Sequence, residues 1–236
     1  MELNLKKRPK NPIIIEGFPG FGLVGTISTE YLINHLNTEL IGTCCFEELP
    51  ATIAIHGEKI IYPLEVHYCK EKNLIIVHSI GASMGLEWKI SEAIEKLAID
   101  LKAKEIISIE GVGSPMQLTT SRVFFYTNTP SNKKVLIKTG ALPLREGIVM
   151  GVTSALLMKS NQKLSAIFAE THTKLPDSKA AAEVIKILDS YLGLNVDYKP
   201  LLKSAKDMEE KLRGIIKQSK DAVNSPKSKD MMNYVG

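Results

Sequence analysis

The chain has 236 residues, of which 44% are hydrophobic and 24% are charged, and its formal net charge is +4. This length and composition predict a soluble globular protein of one large or two small domains, each able to bury a core. Much of the mild basic excess lies at the two ends and lacks interleaved aromatic residues, so we expect no nucleic-acid partner.

Cysteine content and hydropathy restrict the compartment and the chemistry. Three cysteines, Cys44, Cys45 and Cys69, form no Cys-x-x-Cys pair, which argues against a zinc site and favours a reducing cytoplasm. The polar N-terminal segment has no apolar signal core, and the longest nearly apolar stretch, residues 147–158, is too short to span a bilayer. We therefore expect no metal, no cofactor and no membrane contact.

Short β-branched segments alternate with helical patterns along the whole chain. Continuously apolar segments such as residues 73–80 are typical of central strands covered on both faces. The alternation predicts one α/β domain with a mainly parallel sheet. The predicted strands are residues 12–16, 40–46, 52–56, 59–62, 64–68, 74–79, 105–110, 122–128, 135–138 and 164–169. The predicted helices are residues 23–36, 87–101, 146–158, 177–192 and 199–222.

A glycine-rich segment, EGFPGFGLVG, follows the first predicted strand. It contains Gly20, Gly22 and Gly25 at the spacing of a dinucleotide-binding loop. However, Gly20 lies three residues too far from the strand, and Pro19 removes a backbone donor from the turn. Three interpretations are open: a tight turn that lets the next helix pack closely, a cleft for a small molecule or a partner, and a dinucleotide site.

Other candidate catalytic groups are few. Glu170, His172 and Asp177 follow the last predicted strand, where a histidine and a carboxylate could act as a base and its orienting partner. Ser83 could be a nucleophile, but its neighbouring glycines do not form the Gly-x-Ser-x-Gly turn. The alternative is that these side chains only satisfy loop backbone groups. Because no catalytic constellation is complete, we predict that the chain is not an enzyme.

The last predicted helix differs from the others. Leu201, Ala205, Met208, Leu212 and Ile215 are spaced alternately by four and three residues, which is a heptad seam. This seam is narrower than the stripe of a helix that faces a core, so it predicts an oligomer contact. A terminal helix packed on its own domain is the alternative. We divide the chain into an α/β domain (1–198), a C-terminal helix (199–223) and a flexible tail (224–236).

Several ordered stretches together resemble a known family, although no single one is diagnostic. They are EGFPGFGLVGTISTEYLI, FEELPA, GEKIIYPLEVHY, EGVGSP, GIVMGVTSALLM and ETHTKLPDSKAAAEVIKILDSYLGLNVDYKPLLKSAKDMEE. From about residue 11 to 216 the chain resembles the archaeal branch of the proteasome assembly chaperones of the second-subunit type. The resemblance implies a three-layer α/β/α fold similar to purine nucleoside phosphorylase. It also implies a homo-oligomer that binds proteasome α-subunits and has no catalytic residues.

The tail departs from one pattern of that family. Some members end in a hydrophobic residue, a tyrosine and any residue, and this tripeptide inserts between proteasome α-subunits. Here Tyr234 is third from the end and is followed by Val235 and Gly236. The extra residue lengthens the path from the ring to the terminal carboxylate by roughly 3.3–3.6 Å. Tyr234 and Val235 are therefore predicted partner contacts at a displaced position.

The alternative function is a small-molecule-binding protein or a nucleoside phosphorylase- or hydrolase-like enzyme. Its cleft would lie near the loop from Gly20 to Gly25 and near the loop that contains His172. This alternative rests on similarity of fold, which by itself does not define a function.

Overall fold

The computed structural model describes residues 4–45, 48, 53–56, 58–81, 85–113, 121–171 and 176–203. The strands are β1 (Asn4–Leu5), β2 (Ile13–Gly17), β3 (Thr38–Cys44), β4 (Ala54–His56), β5 (Lys59–Ile61), β6 (Leu64–Cys69), β7 (Leu74–Ser79), β8 (Glu105–Gly113), β9 (Val123–Thr127), β10 (Leu142–Pro143) and β11 (Leu164–Thr171). The helices are α1 (Val24–His35), α2 (Glu87–Leu101), α3 (Pro130–Lys138), α4 (Gly151–Lys159), α5 (Ser178–Leu192) and α6 (Lys199–Lys203), and a 3-10 turn (Phe21–Leu23) precedes α1.

A large sheet organises the molecule. Nine strands follow the order β1-β3-β6-β7-β2-β8-β11-β9-β10, and β4 pairs with β5 in a separate hairpin. The central strands β7, β2, β8 and β11 are mutually parallel. On the flanks, β6 and β9 each run antiparallel to their central neighbour. The predicted α/β fold with a mainly parallel central sheet is confirmed.

Helices cover both faces of this sheet. Successive side chains of a strand point to opposite faces, so Ile14 packs with α2 and α4 while Ile15 packs with α1, α3 and α5. Burial of each such isoleucine stabilises the fold by roughly 1.5–3 kcal/mol. The result is the three-layer α/β/α arrangement. Within the described residues no helix has both the length and the apolar character needed to cross a bilayer.

The ends of α5 show how local sequence sets a helix. The Asp177 side chain accepts a hydrogen bond from the Ala180 backbone N–H at 3.0 Å, which satisfies one of the donors left free at a helix start. Gly193 ends the helix with a φ of 64°, in the left-handed region that glycine adopts without strain. The predicted helix over residues 177–192 is confirmed.

One predicted strand is wrong. Residues 135–138 lie in α3, which begins at Pro130, where the fixed φ of proline suits the first turn of a helix. Val135 and Ile137 are β-branched and suggested a strand, but both are partly exposed on the helix, and Leu136 alone is buried. The helix predicted from residue 146 begins instead at Gly151, and the segment before it leaves Ile148 90% exposed.

Candidate functional site

The glycine-rich segment lies at the edge of the sheet where the parallel strands β2, β8 and β11 end. It leaves β2 at Gly17, passes through the 3-10 turn and enters α1 at Val24. Gly22 and Leu23 have φ values of 61° and 50°, so the chain reverses through two left-handed residues before the helix starts. The sequence-predicted strand, turn and helix are therefore adjacent at this edge.

The glycines of this segment allow backbone to pack on backbone. A Cβ added at Gly25 would lie 2.6 Å from the carbonyl oxygen of Ile109 and 2.9 Å from that of Phe18. A Cβ at Gly17 would overlap the carbonyl of Gly25. A pyrophosphate needs open space in front of such a turn, with free N–H groups at the helix N-terminus. The close contacts between α1 and β8 favour the tight-turn interpretation over a dinucleotide site.

The other two glycines of the motif face polar side chains. A Cβ at Gly22 would lie 2.8 Å from Thr171 Oγ1, and one at Gly20 would overlap Oε1 of Glu110. Thr171 Oγ1 donates to Asp177 Oδ2 at 2.8 Å, and the Asp177 backbone N–H donates to the Gly22 carbonyl at 2.8 Å. The predicted carboxylate partner of His172 thus caps α5 and ties it to the glycine turn.

Glu170, the other predicted carboxylate, is held in an ion pair. Nε and Nη2 of Arg122 donate to its two carboxylate oxygens at 2.8 and 2.9 Å. The Glu170 side chain is buried, whereas that of Arg122 is 51% exposed. These bonds, followed by the negative charge of Glu170, raise the pKa of the Arg122 guanidinium. Both carboxylate oxygens already accept hydrogen bonds from a charged donor. Glu170 is therefore better placed to hold the start of β9 against β11 than to act as a base.

Sequence reasoning missed a pair of buried carboxyl groups at the same edge. Glu16 ends an apolar run on β2, and Glu110 lies near the end of β8. Ser108 Oγ donates to Glu16 Oε1. Ser108 Oγ also lies 2.7 Å from Thr153 Oγ1 on α4, and Thr153 Oγ1 lies 3.3 Å from Glu110 Oε2. A continuous hydrogen-bonded chain, here called the carboxyl chain, therefore joins the two groups.

Burial dominates the proton affinity of both carboxyls. Desolvation, opposed by the Ser108 hydrogen bond and assisted by the charge of Glu110, raises the pKa of Glu16 to about 8. Desolvation, opposed by hydrogen bonds from Thr153 and from the backbone at Gly111, raises the pKa of Glu110 to about 7. Carboxyls whose pKa lies near neutrality are common in functional sites, but buried structural networks show the same effect.

The remaining predicted site residues are separated from this edge or lie outside the described residues. Leu201 is 0% exposed and packs into the core shared by α1 and α5, so its own side chain is unavailable to another subunit. Six residues lie outside the described part of the chain: Ala205, Met208, Leu212, Ile215, Tyr234 and Val235. His172 and Ser83 do so as well. Among the described residues, no group of three histidine, cysteine, aspartate or glutamate side chains is placed to hold a metal ion.

The fold and this edge define a class of protein: an α/β/α domain whose sheet edge is closed by a glycine turn packed against the strands. The chain belongs to the PAC2 family, whose model matches residues 14–216. This confirms the family resemblance seen in the sequence.

Individual relatives extend the match over nearly the whole chain. Pyrococcus furiosus PbaA, an archaeal homolog of proteasome-assembly chaperone, is 31% identical with a TM-score of 0.84, covering 94% of this chain and 98% of that one. An uncharacterized protein of Methanocaldococcus jannaschii is 31% identical over 218 residues, which is 89% of this chain and 87% of that protein. Pyrococcus furiosus PbaB, an archaeal proteasome activator, shares the fold at 23% identity with a TM-score of 0.75. The match covers 90% of this chain and 97% of that one.

Proposed function

We propose that this chain is a non-enzymatic proteasome assembly chaperone or proteasome-binding scaffold that acts as a homo-oligomer and binds proteasome α-subunits. The observation that carries the proposal is the similarity to PbaA, which extends over 94% of this chain at 31% identity. Similarity over that length includes the helices and the sheet edge as well as the central strands. It is therefore more specific than a shared α/β/α architecture.

The sheet edge supports a role without catalysis. In α/β proteins, small molecules usually bind in a crevice at the carboxyl ends of parallel strands. Here Gly25 packs on the carbonyl of Ile109, Asp177 caps α5, and Arg122 neutralises Glu170. Among the described residues, the predicted catalytic carboxylates Glu170 and Asp177 are thus engaged in structural contacts, which supports a role without catalysis.

We place the contact between copies of the chain on the heptad seam beyond Leu201. The Leu201 side chain anchors the start of α6 in the core, and Leu202 beside it is partly exposed. The seam residues Met208, Leu212 and Ile215 would then be presented to another copy, as heptad positions are in coiled coils.

The first experiment tests binding to the proteasome. The full chain is mixed with proteasome α-subunits of the same organism and separated by size exclusion with light scattering. The chain ending at Val223 and the chain lacking only Gly236 are run in parallel. Loss of Gly236 places Tyr234 second from the end, where the family pattern has it, so tail docking predicts tighter binding for that variant and none for the truncated chain.

Each outcome of this experiment has a different meaning. Equal binding by all three chains would move the contact from the tail to the folded body while keeping the proposed function. Failure of all three to bind would contradict it. Thermal unfolding with nucleosides, nucleotides and phosphate would then test the enzyme alternative, since a ligand at 100 times its Kd stabilises a protein by about 2.7 kcal/mol.

The second experiment tests the oligomer. Met208, Leu212 and Ile215 are replaced together by serine, and the molar mass is measured by light scattering. A matched control replaces Glu210 and Lys217, which lie off the seam. We expect the seam variant to fall to the mass of one chain with an unchanged circular dichroism spectrum, and the control to keep the parent mass. If the seam variant has the mass of one chain but has lost the circular dichroism spectrum of the folded protein, the seam belongs to the core of its own subunit.

A further inference from the structure

The carboxyl chain joins three separate parts of the molecule. Glu16 lies on β2, Ser108 and Glu110 lie on β8, and Thr153 lies in the first turn of α4. The Gly20 loop, defined as residues 18–23, closes over its outer end, because a Cβ at Gly20 would overlap the Glu110 carboxyl. The carboxyl chain therefore links the sheet to the start of α4 by hydrogen bonds, and the Gly20 loop packs directly on its Glu110 end.

Counting protons shows that two ionised carboxylates cannot satisfy this chain. It has three contacts: Glu16 with Ser108, Ser108 with Thr153, and Thr153 with Glu110. Each contact needs one hydrogen, and each hydroxyl supplies one. The two hydroxyls therefore serve two contacts, and the third requires a proton on a carboxyl. A single carboxyl proton completes the chain in either direction, running from Glu110 to Glu16 or from Glu16 to Glu110.

The charged groups around the carboxyl chain do not remove the need for that proton. Within the described ranges no cationic side chain contacts either carboxyl. On the same sheet face, Glu170 lies two register pairs nearer the edge than Glu110 and is already paired with Arg122. The neighbouring strand β7 presents apolar Val77 beside Glu16.

The described ends of the adjoining helices provide no counter-ion for the carboxyl chain either. Lys159 at the end of α4 pairs with Glu92 of α2 at 2.9 Å, and its ammonium lies over the ring of Trp88. The nearest histidine along β7, His78, faces α1, where it contacts Thr29. Among the described residues, ionisation of both carboxyls would thus leave two buried negative charges with only hydroxyl and backbone donors.

We propose that Glu16 and Glu110 share a proton through Ser108 and Thr153, and that this shared proton latches the Gly20 loop and the start of α4 onto the sheet edge. Loss of the proton to the solvent leaves one contact of the chain without hydrogen and places two negative charges together. The charges are relieved when water enters between the Gly20 loop and α4. Because Phe21 (36% exposed) lies in the loop and Met150 directly precedes α4, release changes the apolar surface at this edge.

The pKa values of the two carboxyls place the release near neutral to mildly alkaline pH. Burial raises them to about 7 for Glu110 and about 8 for Glu16. One pH unit above a pKa, the protonated fraction has fallen about tenfold. The protein is therefore expected to be latched at pH 6 and released by pH 9.

Hydrogen exchange of the full-length protein tests the latch. Amide protection is measured at pH 6 and pH 9 and corrected for the intrinsic exchange rate. We expect protection of residues 20–24 and 153–156 to fall at least tenfold at pH 9, while residues 184–188 in α5 keep theirs. In Glu110→Gln the new amide donates permanently to Thr153, so protection should hold at both pH values. Glu71→Gln, a change at an exposed site, should behave as the wild type.

Infrared spectroscopy tests whether a proton is shared. The carbonyl band of a protonated carboxyl is read as wild type minus Glu110→Gln, which cancels other buried carboxyls such as Glu105. We expect a band at pH 6 that disappears over the pH range in which protection is lost. Equal wild-type protection at both pH values would overturn the latch, and so would a pH-dependent loss that persists in Glu110→Gln. A zero difference spectrum at pH 6 would overturn proton sharing. If the variant fails to fold, the wild type alone tests the proposal. The pH at which amide protection is lost and the pH at which the carboxyl infrared band disappears should then coincide, and different pH values would overturn the proposal.

Discussion

Replacement of Glu16 by glutamine should make the protein more stable at alkaline pH. The Glu16 carboxyl is fully buried, and its hydrogen bond from Ser108 needs only an oxygen acceptor, which a glutamine amide also provides. The substitution keeps the size and the hydrogen bond of the side chain and removes its ability to ionise. Any dependence of stability on pH that this carboxyl causes should therefore disappear with it.

The sign and size of the effect follow from the pKa. The pKa of Glu16 is near 4.5 in the unfolded chain and about 8 in the folded protein, so folding takes up a proton between these values. The stability due to the protonated group is complete below pH 4.5 and is lost as pH rises through 8. The loss is about 1.4 kcal/mol per pH unit, or about 5 kcal/mol in total. Relative to wild type, Glu16→Gln should gain this amount across the window.

Urea unfolding followed by circular dichroism measures the difference directly. Wild type and Glu16→Gln are compared at pH 5, 6, 7 and 8, at one ionic strength and one protein concentration, because the proposed oligomer would unfold in a concentration-dependent way. Glu71→Gln serves as the control for loss of an exposed carboxylate. A difference between wild type and Glu16→Gln that stays constant from pH 5 to pH 8 would refute the reasoning, whatever its sign.

Three further changes test the packing of the fold. Gly25→Ala should lower the free energy of unfolding by about 2 kcal/mol through overpacking against backbone, whereas Gly147→Ala, which meets only ordinary contacts, should change it by less than about 1 kcal/mol; equal urea midpoints would contradict this. Leu201→Ala should cost about 2–5 kcal/mol in the same assay, and a cost below 1 would mean that α6 is not anchored in the core. Asp177→Ala should cost about 1–2 kcal/mol by loss of the α5 cap, seen as a lower Tm; an unchanged Tm would remove the cap from the account.

Two elements were predicted with their bounds. The strand over residues 74–79 and the helix over residues 87–101 have the same bounds in the structure as in the sequence analysis. The helix is long enough for its hydrophobic period to be clear, and the strand is a short, continuously apolar segment of the kind that is covered on both faces. The error at residues 135–138 arose because four residues with two β-branched side chains fit a strand, while the helix that contains them is set by Pro130 five residues earlier.

The candidate site was harder to predict because its interactions are distant in sequence. The glycine turn was visible from its residue spacing, but its close contacts involve β8, more than eighty residues away. Glu16 and Glu110 follow apolar runs, which is the signal that could have identified them as buried carboxyls. Their connection depends on Thr153, whose position is fixed only when α4 packs on the sheet. Local patterns contain no information about such a contact.

The short edge strands of the large sheet restrict how copies of the chain can associate. Within the described part of the chain, the outermost strands β1 and β10 contribute two residues each, and Pro143 in β10 offers no N–H to an added strand. Lysines at positions 6 and 7 follow β1, and charged side chains of this kind discourage strand pairing. Growth of one continuous sheet from molecule to molecule, which is the route to fibrils, is therefore disfavoured. Assembly of this protein is expected to be limited in size and to depend on side-chain recognition between folded surfaces.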